Sequence, residues 1–511
     1  MKILFVDPPH KPWEFFPGIM PSPGLLAVIP PAREFAAPGG IKVLDLSLEI
    51  DPVKSLAAAC KNFAPDIIAI SGAKSAFAYE TLNSAALCRK YSPGSIIIGG
   101  GNFLSSYASE VISRGYFDFI AAGEGERVFS GLLSAAKENR ISDMAGVRGI
   151  AYCKEFAAPD GGRRKKLKTL FAGFAPGKSG GFNCAEGLFD REEIFETAFT
   201  APMPQIENLD ELQIPAFEYF DMDLYTLPPL GGTVGFVVSF SRGCVKKCSF
   251  CADSAFWGHK WRGFGAKRCL EILKILYNAY GRRIFYFGDS DFWQDRSRNI
   301  EFLELLEYEK KRDFEISFWI QSSASNILAN ADLLKRYRAC GLYQIMCGFE
   351  SVSGSVQKSF KKMISMDTMK AVSALMKKNG VLLMGMMMWG DRSDTIETLR
   401  ENLDFMVKHC DVIGPNTMLA HYGTQYFEEC SARLGIDKFD VLQNDQCEII
   451  FPTETLDVKQ AASVYRDLVL KTLISKKKFI GNYLSAGNVR TKAVMAELLN
   501  RGFSGRYGVR R

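Results

Sequence analysis

Three cysteines at CxxxCxxC spacing close the stretch Phe240-Ser241-Arg242-Gly243-Cys244-Val245-Lys246-Lys247-Cys248-Ser249-Phe250-Cys251, directly after an apolar run that reads as a strand. Three thiolates on one short loop can hold three irons of a cubane iron–sulfur cluster and leave its fourth corner open, whereas a closed zinc site or a fully ligated cluster needs four protein ligands. Two other readings compete: a zinc knuckle completed by His259, and three unconnected cysteines in a chain that has thirteen. The strand before the loop and the strand–helix pattern after it favour the open cluster, which also implies oxygen sensitivity.

The 511 residues predict two to three domains, and 47% hydrophobic with 23% charged residues describes a globular chain. Met1-Lys2 runs into the apolar Ile3-Leu4-Phe5-Val6 without a signal-peptide pattern, and the longest apolar run, Val381 to Trp389, is too short to span a bilayer. A cytoplasmic, reducing location is expected, with the cysteines as thiols or metal ligands. The net charge of +6 is mild, and its clusters, Arg163 to Lys166 and Lys476 to Lys478, lack interleaved aromatics. They read as solvated surface rather than a nucleic-acid interface.

Residues 1–145 alternate apolar strands (Ile3 to Val6, Lys42 to Leu46, Ile67 to Ile70, Ser95 to Ile98, Phe119 to Ala122) with helical stretches such as Tyr79 to Tyr91. The pattern predicts an α/β fold with a doubly wound, Rossmann-like parallel sheet whose ligand lies beyond the strand carboxyl ends. The loops there are Asp7-Pro8-Pro9-His10, Ser71-Gly72-Ala73, Gly99-Gly100-Gly101-Asn102 and Gly123-Glu124-Gly125-Glu126. Residues 146–230 lose periodicity and predict a linker with little structure of its own. Its Gly177-Lys178-Ser179 lacks the spacing of a phosphate loop. Strand–helix units continue from 231 to 430, and 431–511 predict a helical tail with Val458 to Leu473 its clearest helix.

The cysteine loop, with Phe250 before the third cysteine, resembles the signature of the radical S-adenosylmethionine (SAM) enzymes. In that family three cysteines hold a [4Fe–4S] cluster whose open iron binds the amino and carboxylate groups of SAM, and one electron releases a 5'-deoxyadenosyl radical. The first 145 residues resemble the cobalamin-binding domain that precedes the barrel in one large subgroup, through the opening stretch with Trp13 to Gly18, the Gly-Gly-Gly-Asn turn and the Gly-Glu-Gly-Glu turn. By that resemblance Ser71, Gly99, Gly100, Gly101, Asn102 and Glu124 line the cobalamin pocket, and the loop from Asp7 to Pro12 faces the lower side of the corrin. The Asp-x-His-x-x-Gly motif that supplies an axial histidine in many cobalamin proteins is absent, and His10 stands in the corresponding loop without that spacing.

The resemblance implies a partial TIM-type barrel over 231–430, and further matches follow along it. Ile284-Phe285-Tyr286-Phe287 ends in Gly288-Asp289-Ser290-Asp291-Phe292, which resembles the family's amino-group motif with Ser290 where a second acid is often found, so Asp289, Ser290 and Asp291 all remain candidates. A carboxylate or hydroxyl at a strand end suits the SAM ammonium. The next strand carries Ser323 in place of a frequent arginine, and Gly348-Phe349-Glu350-Ser351 matches the family's Gly-x-Glu-Ser, making Glu350 a further SAM contact. Met384, Met386, Met387 and Met388 read as core filler or a pliable wall. The resemblance implies a cobalamin-dependent radical SAM methyltransferase acting on an unactivated carbon, supplied with electrons by a donor such as flavodoxin or ferredoxin. Alternatives are a cyclisation or rearrangement with the same cofactors, and a cobalamin-binding or electron-transfer module without turnover. The substrate stays open among small molecules, lipids, tetrapyrroles and peptides.

Overall fold

The computed structural model describes residues 1–9, 20–137, 141–157, 162–172, 174, 188–189, 191–225, 235–442 and 451–475. These fall into two compact units, one within Met1–Glu207 and Glu211–Tyr225, the other within Asn208–Asp210 and Thr226–Arg511. His10, the stretch Trp13 to Gly18, the Gly177-Lys178-Ser179 triplet and both Lys476 to Lys478 and Arg501 to Arg511 lie outside the described residues.

The first unit is built on a seven-stranded sheet. Its strands β1 (Ile3–Asp7), β2 (Ile41–Asp45), β3 (Ile67–Ser71), β4 (Ile96–Gly100) and β5 (Phe119–Ala121) run parallel in the order β2-β1-β3-β4-β5. All five residues of β1 are buried, as an apolar strand covered on both faces requires. The helix Pro23–Ala32 packs against Gly125–Lys137, and Pro52–Phe63 against Ala78–Tyr91. Helix Pro52–Phe63 starts where the Asp51 carboxylate accepts from Lys54 N and stops at Ala64 in the left-handed region, a start and a stop that follow the capping rules. From β1 the chain pairs with β2 on one side and β3 on the other, so the order reverses at β1 and β3, where ligands of such sheets bind.

The stretch 146–230 departs from the expected linker. Within it β6 (Ile150–Cys153) and β7 (Thr197–Phe199) extend the sheet antiparallel beyond β5, and Gly162–Ala172 is helical. Antiparallel neighbours need no crossover helix, so they leave no strand–helix alternation to read. Residues 211–225 also belong to this unit: Ala216 N donates to Leu26 O, and Tyr225 OH donates to Asp45 Oδ2 at 2.8 Å.

The second unit holds six parallel strands, β8 (Gly235–Val238), β11 (Ile284–Phe287), β12 (Ser317–Gln321), β13 (Leu342–Glu350), β14 (Leu382–Trp389) and β15 (Val412–Thr417), adjacent in chain order. Between β8 and β11 lies a short antiparallel ribbon of β9 (Ser241–Arg242) and β10 (Arg262–Gly263). Chain-order parallel strands joined by helices are the pattern of a barrel rather than a doubly wound sheet. Phe285 and Phe287 face the helix side, where Phe287 meets Phe302, and a Cβ on Gly385 would meet Met406 and Cys410 there. The opposite, inner face therefore carries Tyr286, Trp319, Met384, Met386 and Met388, since strand side chains alternate. Tyr286 and Trp319 stack with centroids 5.1 Å apart, and a Cβ on Gly414 would run into the Met386 thioether. The barrel is followed by helices Gln425–Leu434 and Val458–Ser475. Among the described residues no helix is long and apolar enough to cross a membrane.

Candidate functional site

The cysteine loop leaves β8 at its carboxyl end. Gly243 takes φ +78°, and a Cβ there would run into the Lys260 carbonyl, so the approach of the β9–β10 ribbon demands glycine immediately before Cys244. Lys246 N donates to Cys244 Sγ and Ser254 N to Cys251 Sγ, both at 3.5 Å. Burial pushes the Cys244 thiol up to about 11 and the Cys248 thiol also upward; iron binding, which takes the thiolate, releases those protons. Ser249, inside the Cys248-to-Cys251 turn, donates from N to Phe360 O (3.1 Å) and from Oγ to Ser359 O (2.8 Å), and its carbonyl accepts from Tyr426 N (3.0 Å). Phe250 meets Phe360 edge-on at 5.1 Å. His259 holds the loop backbone, its Nδ1 lying 3.3 Å from both Lys246 O and Ser254 Oγ. Among the described residues no three His, Cys, Asp or Glu side chains converge on one point; a cubane takes one thiolate per iron.

The acids after β11 have separate partners. Asp289, 1% exposed, accepts from Phe240 N at 3.1 Å and from Ser241 Oγ, tying the strand end to the loop entrance. Burial, chiefly, pushes it up to about 6. Its Oδ2 has no hydrogen-bond partner among the described residues. Asp291, equally buried, accepts from Ser322 Oγ (2.7 Å), Ser323 N (3.3 Å) and Asn326 Nδ2 (2.8 Å). Ser323 reaches Asp291 through its backbone N–H, while its hydroxyl pairs with Ser325 Oγ at 3.2 Å. Ser290 Oγ donates to Asp253 Oδ2, whose other oxygen accepts from Trp257 Nε1 at 3.0 Å.

Glu350 ends β13 in a left-handed conformation, φ +62°, at a register shift against β14. That conformation costs on the order of 1–3 kcal/mol. Its Oε1 accepts from Lys362 Nζ at 2.6 Å, with the two side chains 10% and 20% exposed. A Cβ on Gly348 would collide with this pair, its nearest atom on the lysine lying 2.6 Å away. Burial pulls the Lys362 ammonium down, but Glu350 and Cys248 outweigh it and keep it charged. Lys362 and Asp253 were missed in the sequence. Lys362 lies in a lysine-rich stretch with no distinguishing spacing, whereas Asp253, two residues after Cys251, could have been noticed.

In the first unit the expected cofactor residues divide. Ser71 ends β3 and shares a hydrogen bond with Ser22 at 3.1 Å. Gly72 and Gly99 leave room for Leu104, since a Cβ on Gly99 would come within 2.6 Å of its Cδ1, and Gly101, at φ +107°, presses on the Gly72 carbonyl. These three glycines have internal reasons. Gly100 has nothing nearer than 3.8 Å, and Gly123 nothing within 4 Å. Asn102 begins the helix Asn102–Ser106, while Glu124 accepts from Ile206 N at 2.6 Å. Ser71 and Gly100 thus end the adjacent strands β3 and β4, and Asn102 begins the helix that follows, with nothing nearer than 3.8 Å to a Cβ on Gly100.

Residues 238–406 match the radical SAM superfamily. An uncharacterised methyltransferase of Pyrococcus horikoshii is 27% identical over 376 residues, covering 72% of this chain and 70% of the relative. An anaerobic magnesium-protoporphyrin IX monomethyl ester cyclase of Synechocystis is 26% identical over 396 residues, 75% of this chain and 67% of that protein. Among solved structures, the radical SAM methyltransferase TsrM of Kitasatospora setae superposes with a TM-score of 0.62 at 15% identity, over 84% of this chain and 76% of that one. The cobalamin-dependent radical SAM enzyme OxsB gives 0.65 at 17% identity, over 99% and 71%. Residues 238–406 are a radical SAM domain, carried in a chain with the fold of cobalamin-dependent radical SAM enzymes.

Proposed function

We propose that this chain is a cobalamin-dependent radical SAM methyltransferase that acts on an unactivated carbon. One observation carries the reading: the three-cysteine loop leaves the end of β8 while the ends of the parallel strands β11 and β13 carry Asp289 to Asp291 and the Glu350–Lys362 pair. When bound, a [4Fe–4S] cluster with SAM supplies a carbon-centred radical, and cobalamin supplies a methyl group. Cys244, Cys248 and Cys251 would hold three irons, and Asp289, by gripping Phe240 N and Ser241 Oγ, would keep the loop in place. Lys362 and Glu350, one cation and one anion in a largely dry place, would orient the charged and hydroxyl groups of SAM. Ser71, Gly100 and Asn102 would line the cobalamin site. Tyr286, Trp319 and the inner methionines would wall the barrel against water and bear on the substrate. The electron comes from a small redox protein such as a flavodoxin or ferredoxin.

A second reading, cyclisation without methyl transfer, is favoured by the relative named as a magnesium-protoporphyrin monomethyl ester cyclase. Both are tested anaerobically with the reconstituted, cobalamin-loaded protein, methyl-labelled SAM, reductant and extract of the source cell. Label entering product in step with 5'-deoxyadenosine is the expected result. 5'-Deoxyadenosine with unlabelled product selects the second reading, and neither product defeats both.

A further inference from the structure

Beside the cluster loop, Asp253 forms a contact that neither the motifs nor the proposed chemistry uses. The three residues following Gly288 offer two carboxylates and a hydroxyl, yet both carboxylates are closed in. Asp291 takes three hydrogen bonds from Ser322 and Ser323, just past β12, and from Asn326 in the helix after them. Asp289 is 1% exposed, with one oxygen on the loop entrance and the other sealed in. Ser290 lies between them, half-buried, and carries no charge. Its Oγ donates to Asp253 Oδ2, so the strand end that lacks an open acid of its own is brought against one from the cluster loop. Trp257 Nε1 fixes the other oxygen of Asp253 from within the same loop segment, at 3.0 Å. Asp253 is itself half-buried, which leaves its carboxylate both oriented and reachable.

Resting on the radical SAM reading above, we propose that Asp253, steered by Ser290 and Trp257, is the carboxylate that accepts a hydrogen bond from the amino group of SAM. A carboxylate with two of its lone pairs already taken by neutral donors keeps others for the N–H of that amino group, and a hydrogen bond to an ionised acceptor is roughly twice as strong as one between neutral groups.

The test is equilibrium dialysis of SAM, and of the SAM analogue lacking the amino group, against the full chain with its cluster reconstituted anaerobically and iron counted in every sample. The wild type should bind SAM; if it does not, the radical SAM reading itself fails. Asp253→Asn should then bind SAM about tenfold or more weakly while binding the deaminated analogue as the wild type does. Equal loss for both ligands would make Asp253 a support of the loop, and no loss for either would remove it from the site; each overturns the proposal. Should Asp253→Asn fail to hold iron, Ser290→Ala serves instead, because it frees the carboxylate without altering the loop. About a threefold loss confined to SAM is then expected, and a loss shared by the analogue would again overturn the assignment.

Discussion

At the carboxyl ends of β3 and β4 the chain is neutral and rich in glycine, and much of that glycine is explained by one leucine: Leu104 fills the space that side chains on Gly72 and Gly99 would take. At the carboxyl ends of β8, β11 and β13 the chain is thiol-rich and charged, and hydrogen bonds tie each polar group to another strand end or loop. Both candidate sites lie past the ends of parallel strands, where such sheets bind ligands. The difference is in what the protein must provide. A large neutral ligand asks chiefly for room, whereas a cluster and a charged sulfonium ask for fixed thiolates and counter-charges.

The contrast can be broken most severely at the loop. Cys248→Ala should abolish 5'-deoxyadenosine formation to background and reduce iron to a fraction of the wild-type content, measured anaerobically after reconstitution. Next comes the ion pair. Lys362→Met leaves Glu350 as a nearly buried, unpaired charge and should destabilise the second unit by about 3 kcal/mol in denaturant titration, with Lys362→Met/Glu350→Gln recovering much of the loss. If the single and double variants were equally unstable, the pair would not be coupled.

In the first unit the effects should separate by glycine. Gly99→Ala forces a methyl into Leu104, Ile120 and Phe117 and should cost about 1–3 kcal/mol of stability. Gly100→Ala, with nothing nearer than 3.8 Å, should leave stability within about 0.5 kcal/mol yet weaken cobalamin binding, read by absorbance titration. Equal stability loss for both would erase the distinction drawn between packing and ligand glycines.

The smallest expected effect is a pH dependence. Asp394, buried after β14 and accepting from Gly390 N and Asp391 N, is pushed up to about 7 from 3.8, burial first among the causes. The folded state therefore holds this proton more tightly than the unfolded chain, and its contribution is complete below 3.8 and lost as pH rises through about 7. The melting temperature should fall from pH 6 to pH 8 in the wild type and fall less in Asp394→Asn; identical pH slopes would remove Asp394 from the account.

Much of this was legible in the sequence, for reasons that differ by region. The parallel strands of both sheets, apart from β15 with its Gly414-Pro415-Asn416, announce themselves as apolar runs, because strands covered on two faces must be apolar throughout. The cysteine spacing and the acids after β11 are equally plain. Hidden were β6, paired antiparallel with β5, and β7, paired antiparallel with β6, across sequence separations that no local period reports. Hidden too was the use of each acid: Asp289, Asp291 and Asp253 are the same residue type, and only their partners distinguish a clamp on the loop, a capped turn and an open carboxylate. The glycines of the Gly99-to-Gly101 turn look alike in sequence, but the side chain of Leu104 gives Gly99 a different purpose from Gly100.

The central claim, a cubane cluster with one iron left for SAM, is tested most directly by electron paramagnetic resonance of the reconstituted, dithionite-reduced chain before and after SAM is added. The account predicts about four irons per chain, a [4Fe–4S]⁺ signal, and a change of that signal when SAM is added. A signal indifferent to SAM, or a chain that takes up one zinc and no cluster, would contradict it.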